Sequence, residues 1–334
     1  MKYSKTNFNE KTVLITGGAG FIGSNIAFYL QENYPRCNIV IFDCFRNEKR
    51  FSNSNLQSFG HYKNLIGFTG EVICGNITSS SDLNLLDKYS FDIIFHQAAI
   101  SDTRVDDQEI IMKTNVNSFR SLLNKSKKDN AILVYASSAS TYGNLISPQK
   151  VGIEKPDNPY GFSKYLMDEI AKKYSSENPD LSIIGLRFFN VYGPKEFYKS
   201  STSSMVLQLA HQIIEGKLPR LFEGSEKISR DFIYIEDVIQ ANVKAASVAK
   251  SGIYNIGTGI SRSFQEIADI LQKELNTNLE TEYFKNPFSG YQFHTQADIS
   301  LSREHLGFDP NYSLELGIKD YLPEIKHFFG AINK

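Results

Sequence analysis

The sequence predicts an α/β fold: a doubly wound parallel sheet with a smaller C-terminal α/β region packed onto it. Short apolar, β-branched runs alternate with polar segments of helix length. The runs are continuous rather than alternating in polarity, the pattern of strands buried on both faces. The first run stops at glycines that open a helical segment, and a second apolar run follows, the layout of a βαβ unit.

Residues 11–16 (KTVLIT) read as the first strand, ended abruptly by Gly17 and Gly18. Residues 21–33 carry apolar side chains at helical spacing. Residues 38–43 (NIVIFD) form the second strand, closed by an acid. The same rhythm puts buried strands at 72–74, 91–96, 131–136 and 181–187, with helices over 108–126 and 159–176 between them. Asn158 and Pro159 suit the cap and first position of the latter helix. The basic stretch 125–128 suits the C-terminal end of the former, where cations meet the negative end of the helix dipole.

After residue 190 the pattern loosens into a polar, turn-rich stretch over 192–204. Helical segments from Met205 and Phe264 follow, with short strands near Phe232 and Tyr254. Residues 1–190 are therefore expected to form the doubly wound domain. Residues 191–334 are expected to form mainly a substrate-binding domain, some of whose segments return to the first. A cleft between them would lie at the carboxyl ends of the strands, where open α/β sheets bind ligands.

Composition narrows the function classes. Across 334 residues, 36 basic and 37 acidic side chains leave a net charge of −1, with no global field for nucleic acid or an anionic membrane. Mean hydropathy is −0.30 and no 18-residue apolar run exists, so no membrane span is expected. The polar start reads against a signal peptide. Cys37, Cys44 and Cys74 show no C-x-x-C spacing and are expected as small buried side chains in a cytoplasmic protein. The six histidines show no metal-ligand spacing, so no metal is expected; His96, at a strand end, is read as a packing residue.

Gly18-Ala-Gly20-Phe-Ile-Gly23 matches G-x-G-x-x-G between a strand and a helix, the phosphate turn of a Rossmann-like unit. The helix N-terminus adds free N–H donors and partial positive charge. Asp43 follows Gly23 by 20 residues, where a carboxylate accepts from a ribose hydroxyl. That acid favours NAD, whereas Arg46, Lys49 and Arg50 suit the 2′-phosphate of NADP. Both cofactors stay open on these residues.

Tyr160 and Lys164 stand four apart, on one face of the second helix. A phenol has a pKa of about 10, and a neighbouring ammonium lowers it toward useful basicity. Ser137 and Ser138 close an apolar strand, placing hydroxyls at a strand carboxyl end where a substrate hydroxyl can be held. Tyr-x-x-x-Lys alone is a common surface pair; the serines at the strand end give it weight.

Together, residues 16–23, Ser138, Tyr160-x-x-x-Lys164 and Arg187-Phe-Phe-Asn-Val-Tyr-Gly-Pro194 resemble the extended short-chain dehydrogenase/reductases, the NAD-dependent epimerase/dehydratase superfamily, that act on nucleotide sugars. The resemblance runs from about residue 11 to about residue 325. It implies Tyr160 as acid/base, Lys164 on the nicotinamide ribose and Ser138 orienting the reacting hydroxyl. It further implies a cofactor site at Gly17, Gly20, Phe21, Ile22, Gly23, Asp43, Cys44 and Arg50. Gln97, Ala98, Ala99, Ser101, Asn115, Tyr160 and Lys164 would complete that site.

The C-terminal half is similar, within the family, to the members that invert carbon 6″ of an ADP-linked heptose. The matching stretches are 190–199, 221–226 (LFEGSE), 230–238 and 291–298. This implies oxidation of the 6″-hydroxyl to a ketone and reduction from the other face, for lipopolysaccharide core synthesis, with Lys199 as a second base. It also implies NADP, with NAD as the alternative, and a homo-oligomer, a pentamer. Asn190, Ser201, Gln208, Phe222, Glu223, Gly224, Ser225, Arg230 and Tyr291 would line the nucleotide-sugar site. Arg230 would grip the diphosphate, since a guanidinium fork suits phosphate oxygens. Its plainer reading is an ion pair with Asp231.

Two rivals stand beside this reading. A UDP-hexose 4-epimerase shares Ser138 and Tyr160 but has no need of Lys199. A non-catalytic dinucleotide sensor on the same fold is the rival from another class, since fold does not fix function; such proteins commonly lose the tyrosine or lysine. A 4,6-dehydratase would carry an acidic pair where Ala139 and Ser140 stand.

Overall fold

A computed structural model describes residues 3, 6–248, 250–286 and 292–332. The first half contains β1 (Thr12–Thr16), α1 (Phe21–Asn33), β2 (Asn38–Asp43), β3 (Glu71–Cys74), α2 (Ser80–Leu83) and β4 (Ile93–His96). It continues with α3 (Gln108–Ile111), α4 (Ser118–Asp129), β5 (Ile132–Ser138), α5 (Pro159–Glu177) and β6 (Ile183–Phe188). The second half contains β7 (Asn190–Tyr192), α6 (Met205–Ile214), β8 (Arg220–Phe222), β9 (Ser229–Tyr234), α7 (Ile235–Ala245) and β10 (Gly252–Ile256). It ends with β11 (Ser261–Ser263), α8 (Phe264–Leu275), β12 (Glu282–Phe284) and α9 (Leu314–Ile332).

The main sheet has seven parallel strands in the order β10-β6-β5-β4-β1-β2-β3. Strand order therefore reverses between β1 and β4, which opens a crevice at their carboxyl ends. Core forms on both faces. Within β1, Val13 and Ile15 join one apolar cluster with Ile26 and Leu30 of α1. Leu14 joins another with Phe119 of α4 and Met167 of α5. This double burial is why the strands are apolar throughout rather than every second residue.

The expected return of later segments to the first domain is visible in β10, which pairs with β6 as the seventh strand (Tyr254↔Leu186), while α7 packs on α1. Two smaller sheets, β11-β9-β7 and β12-β8, belong to the C-terminal region. The helix expected over 108–126 is interrupted: residues Met112–Asn117 form a π-turn between α3 and α4. The basic stretch at its end is neutralised locally. Lys125 bonds Asp129 at 2.8 Å and the Tyr89 carbonyl at 2.7 Å, and Lys128 bonds Asp87 at 2.8 Å. The cysteines depart from expectation, since Cys37 is half-buried while Cys44 and Cys74 are exposed. Cys44 follows the carboxyl end of β2 and lines the crevice, and Cys74 ends β3 at the sheet edge. Among the described residues no helix is long and apolar enough to cross a membrane.

Candidate active site

At the end of β1 the chain turns at Gly17, whose φ of +69° disfavours any side chain, and its N–H bonds the Phe42 carbonyl at 2.9 Å. A Cβ at Gly23 would collide with the Gly17 carbonyl, so α1 lies against the turn only because that residue is glycine. The N-terminus of α1 then opens onto a cleft of about 1410 Å³. Single small-ligand sites run to about 300–1,000 Å³, so this one has room for a dinucleotide and a second ligand together.

The glycine turn and first turn of α1 (Gly17 and Gly20 to Gly23) line one wall of the cleft, beside Asp43 and Cys44 at the end of β2. Gln97, Ala98, Ala99 and Ser101, after β4, line another. Asp43 is buried; its Oδ2 accepts from Ala19 N at 3.0 Å and its Oδ1 from Phe45 N at 2.7 Å. Burial pushes its carboxyl up, and those two N–H bonds pull it back. Each oxygen retains a lone pair for a ribose hydroxyl. Gln97 donates to Asn242 at 3.1 Å, while its buried Oε1 has no partner among the described residues. A glycine cradle, a helix N-terminus, an acid at the second strand and an orphan acceptor together fit a dinucleotide.

Two of the residues expected at the cofactor lie elsewhere. Asn115 is fully buried behind the wall: it bonds both the N–H (2.9 Å) and the carbonyl (3.0 Å) of Ile100 and donates to Ser163. It shapes the loop that lines the cleft rather than lining it. Arg50 points at the Ser54 carbonyl, 2.8 Å away. Arg46 reaches the Tyr198 carbonyl at 2.9 Å, and its buried Nε has no partner among the described residues.

Ser138, Tyr160 and Lys164 meet in the cleft. Asn158 caps α5 by accepting from Gly161 N at 2.8 Å, and Pro159 takes the first position, which presents Tyr160 at the helix start. Burial raises the Tyr160 phenol, and a hydrogen bond with Ser138 lowers it. Lys164, 2% exposed, donates to the Ala136 carbonyl at 2.7 Å and sits 6.0 Å from the Tyr160 ring centre. Burial brings its ammonium down to about 8, against an opposing pull from Asp168 one turn away. Asp168 itself lies in a buried network, accepting from Tyr135 (2.8 Å), Ser137 (3.0 Å) and Arg187 (2.8 Å). His96 is buried and held neutral, its pKa down to about 3, against Thr16 and the Phe119 ring.

The stretch after β7 supplies another wall. Lys199 lines the cleft from a 3₁₀ turn, Phe197–Thr202, with its Nζ 5.4 Å from the Phe21 ring centre. Burial lowers its ammonium pKa, while Glu196 and Asp102 raise it. Asn190, Ser201, Gln208 and Arg230 line the same space. Ser201 donates to Asn55 at 2.8 Å and Gln208 to the Ser203 carbonyl at 2.7 Å. Arg230 makes no pair with Asp231. It donates to the backbone carbonyls of Ser229 and Gln292, and Asp231 is taken up by N–H groups of Thr258, Gly259 and Ala297.

Phe222 to Ser225 stand off the cleft's described lining: Phe222 packs edge-on against Phe284, ring centres 5.0 Å apart, and Gly224 forms a turn at φ +77°. Tyr291 lies outside the described residues. The sequence reasoning missed Glu196, Asp102 and the Arg187–Asp168 pair. Glu196 stands nine residues before the start of α6, and nothing in its sequence surroundings marks it; its full burial shows only in the fold.

A model of the NAD dependent epimerase/dehydratase family matches residues 13–257. The structure is similar to the ADP-L-glycero-D-manno-heptose-6-epimerase of Helicobacter pylori, at 50% identity over 97% of this chain and 99% of that one, with a TM-score of 0.89. It is also similar to the UDP-glucose 4-epimerase of Thermotoga maritima solved with UDP-glucose (26% identity, 96% and 99% covered, TM-score 0.84). A third similarity is to a UDP-N-acetylglucosamine 4-epimerase of Methanobrevibacter ruminantium (25% identity, 97% and 99% covered, TM-score 0.83).

Proposed function

Since the chain belongs to the NAD dependent epimerase/dehydratase family, we propose that it inverts carbon 6″ of ADP-D-glycero-D-manno-heptose, giving ADP-L-glycero-D-manno-heptose for lipopolysaccharide core synthesis. The observation that carries this reading is the 50% identity, spread over 97% of the chain, to an enzyme of that activity. Identity to the two 4-epimerases is about half as great.

The hydride chemistry at carbon 6″, removal and return to the other face of the ketone, would be supplied by a nicotinamide held at the glycine turn and Asp43. The protein's part is to move the hydroxyl proton, once on each face. Tyr160 serves one face. Ser138 orients the hydroxyl, and the Lys164 ammonium, still protonated at neutral pH, favours the phenolate by its charge. Lys199 serves the other face from its separate wall, and burial makes it a better base than a free lysine. Arg230 grips the diphosphate. Phe222, Glu223, Gly224, Ser225 and Tyr291 complete the nucleotide side once substrate is in place. The ketone must turn over between the two hydride steps, which the breadth of the cleft permits.

NADP is the proposed cofactor. What supports NADP over NAD is the resemblance together with the basic loop after Asp43, where the buried Arg46 Nε has no partner among the described residues and would suit a 2′-phosphate. The active form is proposed to be a cytoplasmic homo-oligomer, a pentamer, and its three unpaired cysteines suit a reducing compartment.

The test is proton NMR of the enzyme with ADP-D-glycero-D-manno-heptose in D₂O, beside UDP-glucose. The proposal expects conversion of the heptose with no deuterium at carbon 6″, because the hydrogen removed is the hydrogen returned. Deuterium at that carbon, or epimerised UDP-glucose with the heptose unchanged, overturns it.

A further inference from the structure

Glu196 is fully buried, yet it lies outside the cleft lining and touches neither substrate space nor cofactor space. Its carboxylate joins the two ends of the segment that carries Lys199. At the start, Gly193 N donates to Oε1 at 3.2 Å. At the end, Ser204 donates twice, from its N–H to Oε2 at 2.6 Å and from its hydroxyl to Oε1 at 2.7 Å. Ser204 also caps α6, accepting from Leu207 N at 3.2 Å, so the clamp is anchored to a helix. Between these ends the chain is tight. Lys199 N bonds the Glu196 carbonyl at 2.9 Å, and Ser200 takes a φ of +53°, a conformation that a non-glycine residue holds only when its surroundings impose it.

We propose that Glu196 is a positioning residue for Lys199: its buried carboxylate ties together the two ends of the loop that presents the lysine to the cleft. This rests on Lys199 being the second acid/base. The charged and titratable groups around the pair come from several elements. Lys199 faces Glu196 and, from the loop after β4, Asp102. Glu196 faces Lys199, Tyr321 of α9 and Tyr192 of β7. Burial lowers the Lys199 ammonium pKa and the Glu196 carboxylate raises it, so removing that charge moves the lysine's titration to lower pH.

The experiment compares Glu196→Gln, Glu196→Asp and Lys199→Met holoenzymes by kcat, KM and the pH profile of kcat on the ADP-heptose. Glu196→Gln is expected to lower kcat by about 10- to 100-fold with KM nearly unchanged, and to move the Lys199 limb to lower pH. Glu196→Asp, which keeps the charge, is expected to restore the limb and part of kcat. Should Glu196→Gln fail to fold, Glu196→Asp carries the test: lowered kcat with the native limb supports the proposal, and native kcat overturns it. Glu196→Gln with native kcat and profile, while Lys199→Met is inactive, overturns the role of Glu196 alone. An active Lys199→Met removes the second acid/base itself, and this inference with it.

Discussion

Replacing Lys164 with methionine should make the protein more stable while disabling it. The ammonium is 2% exposed, and burial depresses its pKa from 10.5 to about 8. At about 1.4 kcal/mol per pH unit, that depression withholds roughly 3 kcal/mol of stability at neutral pH. Methionine fills a similar volume without the charge. Losing the bond to the Ala136 carbonyl costs about 1 kcal/mol, which leaves the variant about 2 kcal/mol more stable. The native pKa lies below the unfolded one, so between about pH 8 and pH 10.4 the unfolded chain binds more protons and wild-type stability rises with pH. The gap between variant and wild type should therefore close across that window. The assay is urea unfolding of cofactor-stripped wild type and Lys164→Met at pH 7 and pH 10. A variant less stable at pH 7, or a gap that does not narrow by pH 10, refutes the reasoning. Activity should fall by about 100-fold or more in the same variant.

Further outcomes follow from the same geometry. Gly23→Ala places a methyl against the Gly17 carbonyl, so dinucleotide affinity measured by calorimetry should fall at least about tenfold, with the chain still folded. Asp231→Ala strands the N–H groups of Thr258, Gly259 and Ala297 in the interior. Urea unfolding should show a loss of about 3 kcal/mol or more. Arg230→Ala should raise KM for the nucleotide sugar by about 10- to 100-fold while kcat changes little, as expected for a group that binds ground and transition states alike.

The parts legible in the sequence are those set by local pattern. The apolar runs ending at Thr16, Asp43 and His96 are strands, because both faces of each are buried. The glycine turn and the Asn158–Pro159 helix start declare themselves by backbone chemistry. What stayed hidden depends on residues far apart in the chain. Tyr254 lies on a strand wherever it pairs, and only the fold puts that strand beside β6. Asp231 looks like an ion-pair partner for its neighbour until residues 258, 259 and 297 arrive around it. Asn115 and Arg187 likewise act through partners 15 to 48 positions away. The π-turn that places Asn115 leaves no mark on helical periodicity.

The most direct test of the account is the conversion of ADP-D-glycero-D-manno-heptose, followed by NMR, with wild type and Lys199→Met side by side. The account predicts that wild type forms the L-glycero epimer. The variant, folded and retaining its dinucleotide, should do so at least about 100-fold more slowly. A variant that converts the heptose at the wild-type rate contradicts it and takes Lys199 out of the mechanism.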